Sequence, residues 1–288
     1  MQILINGLVS GTAIALLAVA FQIVYLPTRV FFIGLAGIYT VAPFIAHACL
    51  KANWGWALTI ITATLVTAGI SLLAEWASHA RLSRKNASPG AQLIASLGIF
   101  IILVQIVAMI WGNETKTLRT GLDSVIRFQG LIITGAQWKT LVIGGGLLVL
   151  FGLLLRRSAL GLRLRALADN PVMFGLYGYN VDRYRLLAFF LCGIFAAAAS
   201  LLTAYDVGFD PHTGLHATLL AIVAVIIGGR GSFVGPIIGG LLLGLLRAQV
   251  VWHFSARWQE AATFALLAIF LLLRPQGIIG RKTRLEAE

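Results

Sequence analysis

The sequence predicts an all-α polytopic membrane protein of about 8–9 transmembrane helices, arranged as a single transmembrane domain over residues 1–288. Three observations predict it. Hydrophobic residues make up 59% of the chain and charged residues only 11%, with a mean hydropathy of +0.92; soluble domains carry about a quarter charged residues. Apolar windows of about twenty residues recur, the length a helix needs to cross a hydrocarbon core. These runs do not alternate in strands of about ten residues, as a membrane β-barrel would require.

In chain order the candidate spans are 3–26, 30–50, 54–76, 91–111, 138–155, 186–205, 215–228, 234–251 and 258–273. The seventh is short for a full crossing. If the spans alternate, fifteen Lys and Arg fall on one side and seven on the other. The positive-inside rule then places the loop 156–187 and the C-terminus in the cytoplasm, with the N-terminus outside. Trp54, Trp76, Trp111, Trp138, Trp252 and Trp258 fall at span ends, as an interfacial belt does. The net charge of +12 is thus a topology signal, and nucleic acid is not an implied partner. Cys49 and Cys192 lie in apolar segments and read as packing residues. Outside, 112–137 is the longest segment, and its apolar middle, 125–134, suits a short strand or an interfacial helix.

The stretch 156–187 is the longest polar interruption, with arginines at 156, 157, 163, 165, 183 and 185. Asp169, Asn170 and Pro171 form a helix start: side-chain acceptors for orphan amides, then a proline suited to the first turn. Val172, Met173, Phe174, Leu176 and Tyr177 make the following short helix mostly apolar, and Gly178 suits its end. Asn180 and Asp182 start the next helix. A helix this short is not stable alone in water, and an apolar face between arginines should dock on something. The chain's own underside and another protein both qualify.

Catalytic signatures are missing. No G-x-x-x-x-G-K-[ST] occurs, so ATP hydrolysis is not expected here, and neither H-E-x-x-H nor G-x-S-x-G appears. The five histidines are scattered and propose no metal site. Glu75, Asp206 and Arg247 lie near span ends, where snorkelling is the default, and Arg247 is the best of the three as a pathway residue, though anchoring is the better reading; a proton- or sodium-driven carrier usually shows a carboxylate nearer the midplane. Residues 215–244 hold a glycine break, Gly228, Gly229, Arg230, Gly231 and Ser232, before a Gly-rich span. The break reads equally as a cavity-lining interruption and as a tight turn. Gly7 with Gly11, Gly235 with Gly239 and Gly240 with Gly244 allow close helix approach, chiefly within the chain.

Two stretches carry a resemblance. The pattern G-x-x-x-R-A-x-A-D-N-P…M…G-x-N, at Gly161, Arg165, Ala166, Ala168, Asp169, Asn170, Pro171, Met173, Gly178 and Asn180, resembles the permease subunits of branched-chain amino-acid ABC importers. So do IIGGRGSFVGPIIGGLLLG at 226–244 and the closing RPQGI at 274–278. The N-terminal half is similar mainly in hydropathy and in the opening 6–21.

The resemblance implies a bacterial inner-membrane importer. It would comprise this chain, a second and related permease, two cytoplasmic ATP-binding subunits and a periplasmic solute-binding protein. No cofactor is expected on this chain, with ATP and Mg on the partner ATPases. The short helix would be a coupling helix, with Met173, Phe174 and Leu176 as its docking face. Arg163 and Arg165 would flank it. Phe32, Tyr39, Gly228, Gly229, Gly231 and Ser232 are the candidate pathway residues. Family members often carry Asn-Phe-Ala-His-Gly where this chain has Phe32, Ile33, Gly34, Leu35 and Ala36, which widens the solute class to amino acids or related small organic solutes. In the loop, a common Asp is Asn170 and a common Ala is Phe174. Two other readings remain open: a self-sufficient secondary transporter or channel, and a membrane scaffold whose loop recruits a cytoplasmic protein.

Overall fold

A computed structural model describes residues 1–85, 87–119, 125–128 and 131–279. Arg281, Lys282 and Arg284, counted above with the loop-side charges, lie outside the described residues. Among the described residues nine apolar helices pass through the fold in alternating directions: α1 (Gln2–Thr28), α2 (Leu35–Lys51), α3 (Trp56–Arg84), α4 (Pro89–Trp111), α5 (Gly135–Arg157), and, after the polar loop, α8 (Val181–Asp206), α9 (Thr213–Gly228), α10 (Gly235–His253) and α11 (Gln259–Leu273). Between α5 and α8 stand two short helices, α6 (Ala159–Asp169) and α7 (Pro171–Leu176). The apolar segment of the longest loop forms an antiparallel hairpin, β1 (Val125–Phe128) and β2 (Leu131–Thr134).

Local chemistry sets the starts. The Ser88 hydroxyl accepts from Ala91 N ahead of Pro89 at the start of α4, and Thr134 and Gln137 form a reciprocal capping box at α5. Ser158 accepts from Gly161 N and opens α6. That helix was not expected from the run of arginines. Its leucines explain it: Leu164, Leu167 and Ala168 form one buried stripe, while Arg165 points outward.

Helix α1 is the hub, buried continuously from Ala15 to Val24 and packed by α8, α9 and α10. Its tightest partner is α10. A methyl group on Gly244 would overlap the backbone of Gly11, and one on Gly11 would meet Leu241 Cα at 2.9 Å. The small-residue spacing thus serves packing inside the chain, as expected. Of the cysteines, Cys192 is buried and Cys49 only half-buried.

Helices α2 and α9, of 17 and 16 residues, are too short to span about 30 Å alone. Non-helical backbone at 29–34 and 207–212 completes their passage, and such backbone survives at membrane depth only inside protein. Here it is covered. Gly34 N donates to Ser96 Oγ at 2.7 Å, Phe209 and Lys116 exchange two backbone bonds of 2.8 Å, and Gly214 sits directly on Ala36 and Thr40.

One span end differs from expectation. Helix α3 does not stop at Trp76 but continues to Arg84 through a single π turn, Glu75–His79. Glu75 therefore does not snorkel: it is buried and paired with Arg185 of α8, Nε to Oε1 2.8 Å.

Candidate functional site

The alternation of helices gives the bundle two ends. One, the loop face, carries α6, α7 and the α9–α10 turn. The other, the far face, carries the start of α1, the end of α8 and the hairpin.

At the far face lies a cavity of about 600 Å³. Apolar walls from Val9, Ile14, Leu17 and Leu220 alternate with polar groups from Asn6, Ser10, Thr140, Ser200 and Thr203. An apolar cleft with a few convergent polar groups is the usual form of a small-solute site. Tyr39 lies at its base, where its carbonyl accepts from Ser200 Oγ at 2.6 Å. Arg247 and Gln259 close one side; the guanidinium makes only long bonds, 3.4 Å each, to Thr263 Oγ1 and Gln259 Oε1. At the rim His216 Nε2 stands 2.9 Å from Glu260 Oε1, tying α9 to α11. Toward the loop face the bundle is solid. Phe151 packs edge-on to Phe195 at 5.1 Å and reaches Phe233, with Phe21 buried in the same cluster.

Of the candidate pathway residues, the structure brings only Tyr39 to this cavity. Phe32 is fully buried, edge-on to Phe189 and His79 at 5.0 and 5.4 Å, and belongs to the core. Gly228, Gly229, Gly231 and Ser232 lie at the loop face, off the cavity, in a tight turn. Gly228 lets α9 touch Gly235 of α10, Gly229 takes φ +115, and Ser232 Oγ accepts from Val234 N and Gly235 N. Gln22 Nε2 of α1 pins the turn by donating to Arg230 O at 2.7 Å and Ser232 O at 3.0 Å. The closing segment seals it from below, Ile278 N and Ile279 N donating to Ile227 O and Gly228 O. The break is a packed joint. What sequence reasoning missed was Asn6 with Ser10 and Ser200 with Thr203, polar pairs at helical spacing in otherwise apolar spans, which are the signal of a polar-lined face.

In the loop, Asn170 takes the cap: Oδ1 accepts from Val172 N and Met173 N, both at 3.0 Å. Asp169 instead ends α6. Pro171 opens α7 and Gly178, at φ +83, follows it. The docking face needs one correction. Phe174 does not face solvent; only 3% of it is exposed. Its ring stacks on Tyr179 at 4.9 Å and meets Tyr184 edge-on at 5.2 Å. Three aromatic rings close together outcompete a wet position for Phe174, since each such pair contributes about 0.5–1.5 kcal/mol beyond burial. Arg163 locks the knot, its guanidinium 5.3 Å above the Tyr179 ring and Nη1 3.0 Å from Tyr184 Oη. The bond to Tyr184 raises the guanidinium pKa. Arg165 bonds back to Gly161 O and stays exposed. What α7 and the Tyr177 that ends it present outward is Val172, Met173, Leu176 and Tyr177, the last two 78% and 79% exposed.

Comparison with known proteins places the chain in a family. The family described as "Branched-chain amino acid transport system / permease component" matches residues 3–273. The permease BraD of the high-affinity branched-chain amino acid transport system of Pseudomonas aeruginosa is 30% identical, over 98% of this chain and 96% of its own. LivH of Escherichia coli K12, named for the same kind of system, is 27% identical over the same shares. Among solved structures, PsaBC from Streptococcus pneumoniae in complex with Fab aligns with a TM-score of 0.57 at 13% identity, covering 99% of this chain and 96% of that one, a likeness of fold. A match spanning both the cavity-lining helices and the polar loop leaves one assignment: the chain belongs to the permease-component family of branched-chain amino acid transport systems.

Proposed function

We propose that the chain is the transmembrane permease subunit of an ATP-driven ABC importer in a bacterial inner membrane. It would carry branched-chain or other hydrophobic amino acids, or related small organic solutes. The observation that carries this reading is the placement of a partly polar-lined cavity and an exposed apolar helix at opposite ends of one bundle, with a packed hydrophobic core between them. The loop face is cytoplasmic and the N-terminus external, the orientation the charge asymmetry supports. The far-face cavity receives solute from a periplasmic binding protein, and α7 seats Val172, Met173, Leu176 and Tyr177 in a groove of an ATPase. Arg165 flanks that contact, and Arg163 shapes it from within through the aromatic knot. A second, related permease completes the pathway. ATP and Mg belong to the two ATPases, and this chain is a non-catalytic subunit. ATP binding there would displace α7, and the bundle would exchange an outward-open for an inward-open arrangement.

Residues 32–36 are consistent with the wider solute class. Phe32 is sealed among aromatic rings and Gly34 N is satisfied by Ser96, so this segment offers no polar side chain to a solute. Selectivity rests on the cavity walls.

The test is a mild-detergent purification from the native cell, with partners identified by mass spectrometry, followed by uptake in vesicles. Co-purifying ATPases and a second permease with ATP-dependent uptake are expected. A lone chain whose transport follows a proton or sodium gradient overturns the reading in favour of a secondary transporter.

A further inference from the structure

Beneath the aromatic knot lies a buried charge cluster that the importer reading leaves unexplained. Helix α3 departs from α geometry at one π turn, one of two among the described residues (the other, Thr140–Gly144, lies in α5), and π turns are rare and gather at functional sites. In the turn Glu75–His79 the two end residues both face inward, 1% and 0% exposed. Arg185 reaches them from α8. Its Nε donates to Glu75 Oε1 at 2.8 Å and its Nη1 to Ser83 Oγ at 2.8 Å, so one guanidinium grips α3 at the first residue of the turn and again beyond its end. His79 is held between Phe189 of α8 and Phe32, the residue leading into α2.

The position of Arg185 in the chain is what gives the cluster meaning. Its neighbour Tyr184 belongs to the knot that fixes Phe174 of α7. Consecutive side chains thus attach the first turn of α8 to α7 on one side and to α3 on the other. Removing two charges from water costs several kcal/mol, and a buried pair seldom recovers more than that, so such a pair is better explained by fixing the relative arrangement of elements than by adding stability. This one is also incompletely satisfied: among the described residues Glu75 Oε2, Arg185 Nη2 and both ring nitrogens of His79 are buried with no hydrogen-bond partner. An apolar contact of the same size would be cheaper.

We propose that Arg185 and Glu75 are the positioning pair that passes displacement of α7 to the π turn of α3 and, through His79 and Phe32, to the start of α2, whose Tyr39 lies at the base of the cavity. The path runs Phe174, Tyr184, Arg185, Glu75. It rests on the importer reading and adds to it the element inside the membrane that the ATPases move.

The test uses the complete importer in vesicles. Wild-type complex is measured first; absence of ATP-driven uptake overturns the importer reading itself, and the link with it. The double variant Glu75→Leu/Arg185→Met removes both charges together and so avoids leaving either one buried alone. It is expected to assemble and to hydrolyse ATP at the wild-type basal rate, while solute moved per ATP falls about tenfold. Arg185→Lys, which keeps the charge but cannot hold Glu75 and Ser83 at once, is expected to give an intermediate ratio. A double variant with the wild-type ratio overturns the proposal, as does one that fails to assemble, since the pair would then be structural only.

Discussion

Two arginines inside the spans, Arg185 and Arg247, show how differently the two ends of this molecule treat the same side chain. Arg185 is clamped in a dry site, with 2.8 Å bonds to Glu75 and Ser83. Arg247 borders an open cavity and makes only 3.4 Å bonds to Thr263 and Gln259, short of good geometry for a charged donor. The loop-face end is built to hold one arrangement until pushed. The far-face end leaves its charge free to meet whatever enters.

The sharpest way to break that contrast is to truncate each arginine in turn. Arg185→Leu strands a buried carboxylate and is expected to cost about 3–5 kcal/mol. Arg247→Leu removes a half-buried guanidinium, strands no buried partner charge and loses only bonds of 3.4 Å, with an expected cost of about 1 kcal/mol. Thermal unfolding in detergent measures both. Equal losses would mean that the far cavity is as dry as the loop-face cluster.

The loop offers a second contrast, between the inner and outer sides of α7. Phe174→Ala opens the aromatic knot and is expected to cost about 3 kcal/mol, seen as rapid proteolysis between α6 and α8. Leu176→Asp changes a side chain 78% exposed, and is expected to leave the melting temperature unchanged while abolishing ATPase association. If Leu176→Asp still co-purifies with ATPases, α7 is not the docking element.

These pairs mark where sequence reading succeeds and where it fails. Span positions were legible, because about twenty apolar residues in lipid have one solution. The cap at Asn170, the stop at Gly178 and the close packing of Gly11 on Gly244 were legible too, since each is local chemistry or simple spacing. Burial of Phe174 was not: nothing in residues 170–178 announces that Tyr179 and Tyr184 fold back over it. Arg185 counted as one more loop arginine and Glu75 as a span-end carboxylate, because their pairing joins positions far apart in the chain. The glycine break read equally as two things for a related reason. Glycine permits both an open, cavity-lining interruption and a dense joint, and only Gln22 and Ile278, remote in sequence, select the joint.

The cavity itself is tested by filling it. Ser200→Leu places a bulky side chain against Tyr39 and removes the bond to its carbonyl. Uptake is expected to fall more than about tenfold, with assembly and basal ATP hydrolysis retained, since loss of one well-placed contact in a site is a 1–3 kcal/mol effect. Unchanged uptake would move the solute route out of this chain and onto the surface shared with the second permease.

The smallest effect belongs to the rim. His216 and Glu260 stand 2.9 Å apart, but their side chains are 49% and 63% exposed. Exposed pairs hold two mobile side chains in one geometry for little Coulomb gain, so a double-mutant cycle on His216→Ala and Glu260→Ala is expected to return less than about 1 kcal/mol. Any ionic part of the coupling should shrink further as salt rises, because screening acts on exposed charges first. Weakness suits this position. The pair is a tie between α9 and α11 at the mouth of the cavity, and a mouth that must open each cycle cannot be fastened as Arg185 fastens α3. A coupling above about 2 kcal/mol, insensitive to salt, would show a desolvated rim and erase the distinction between the two ends of the bundle.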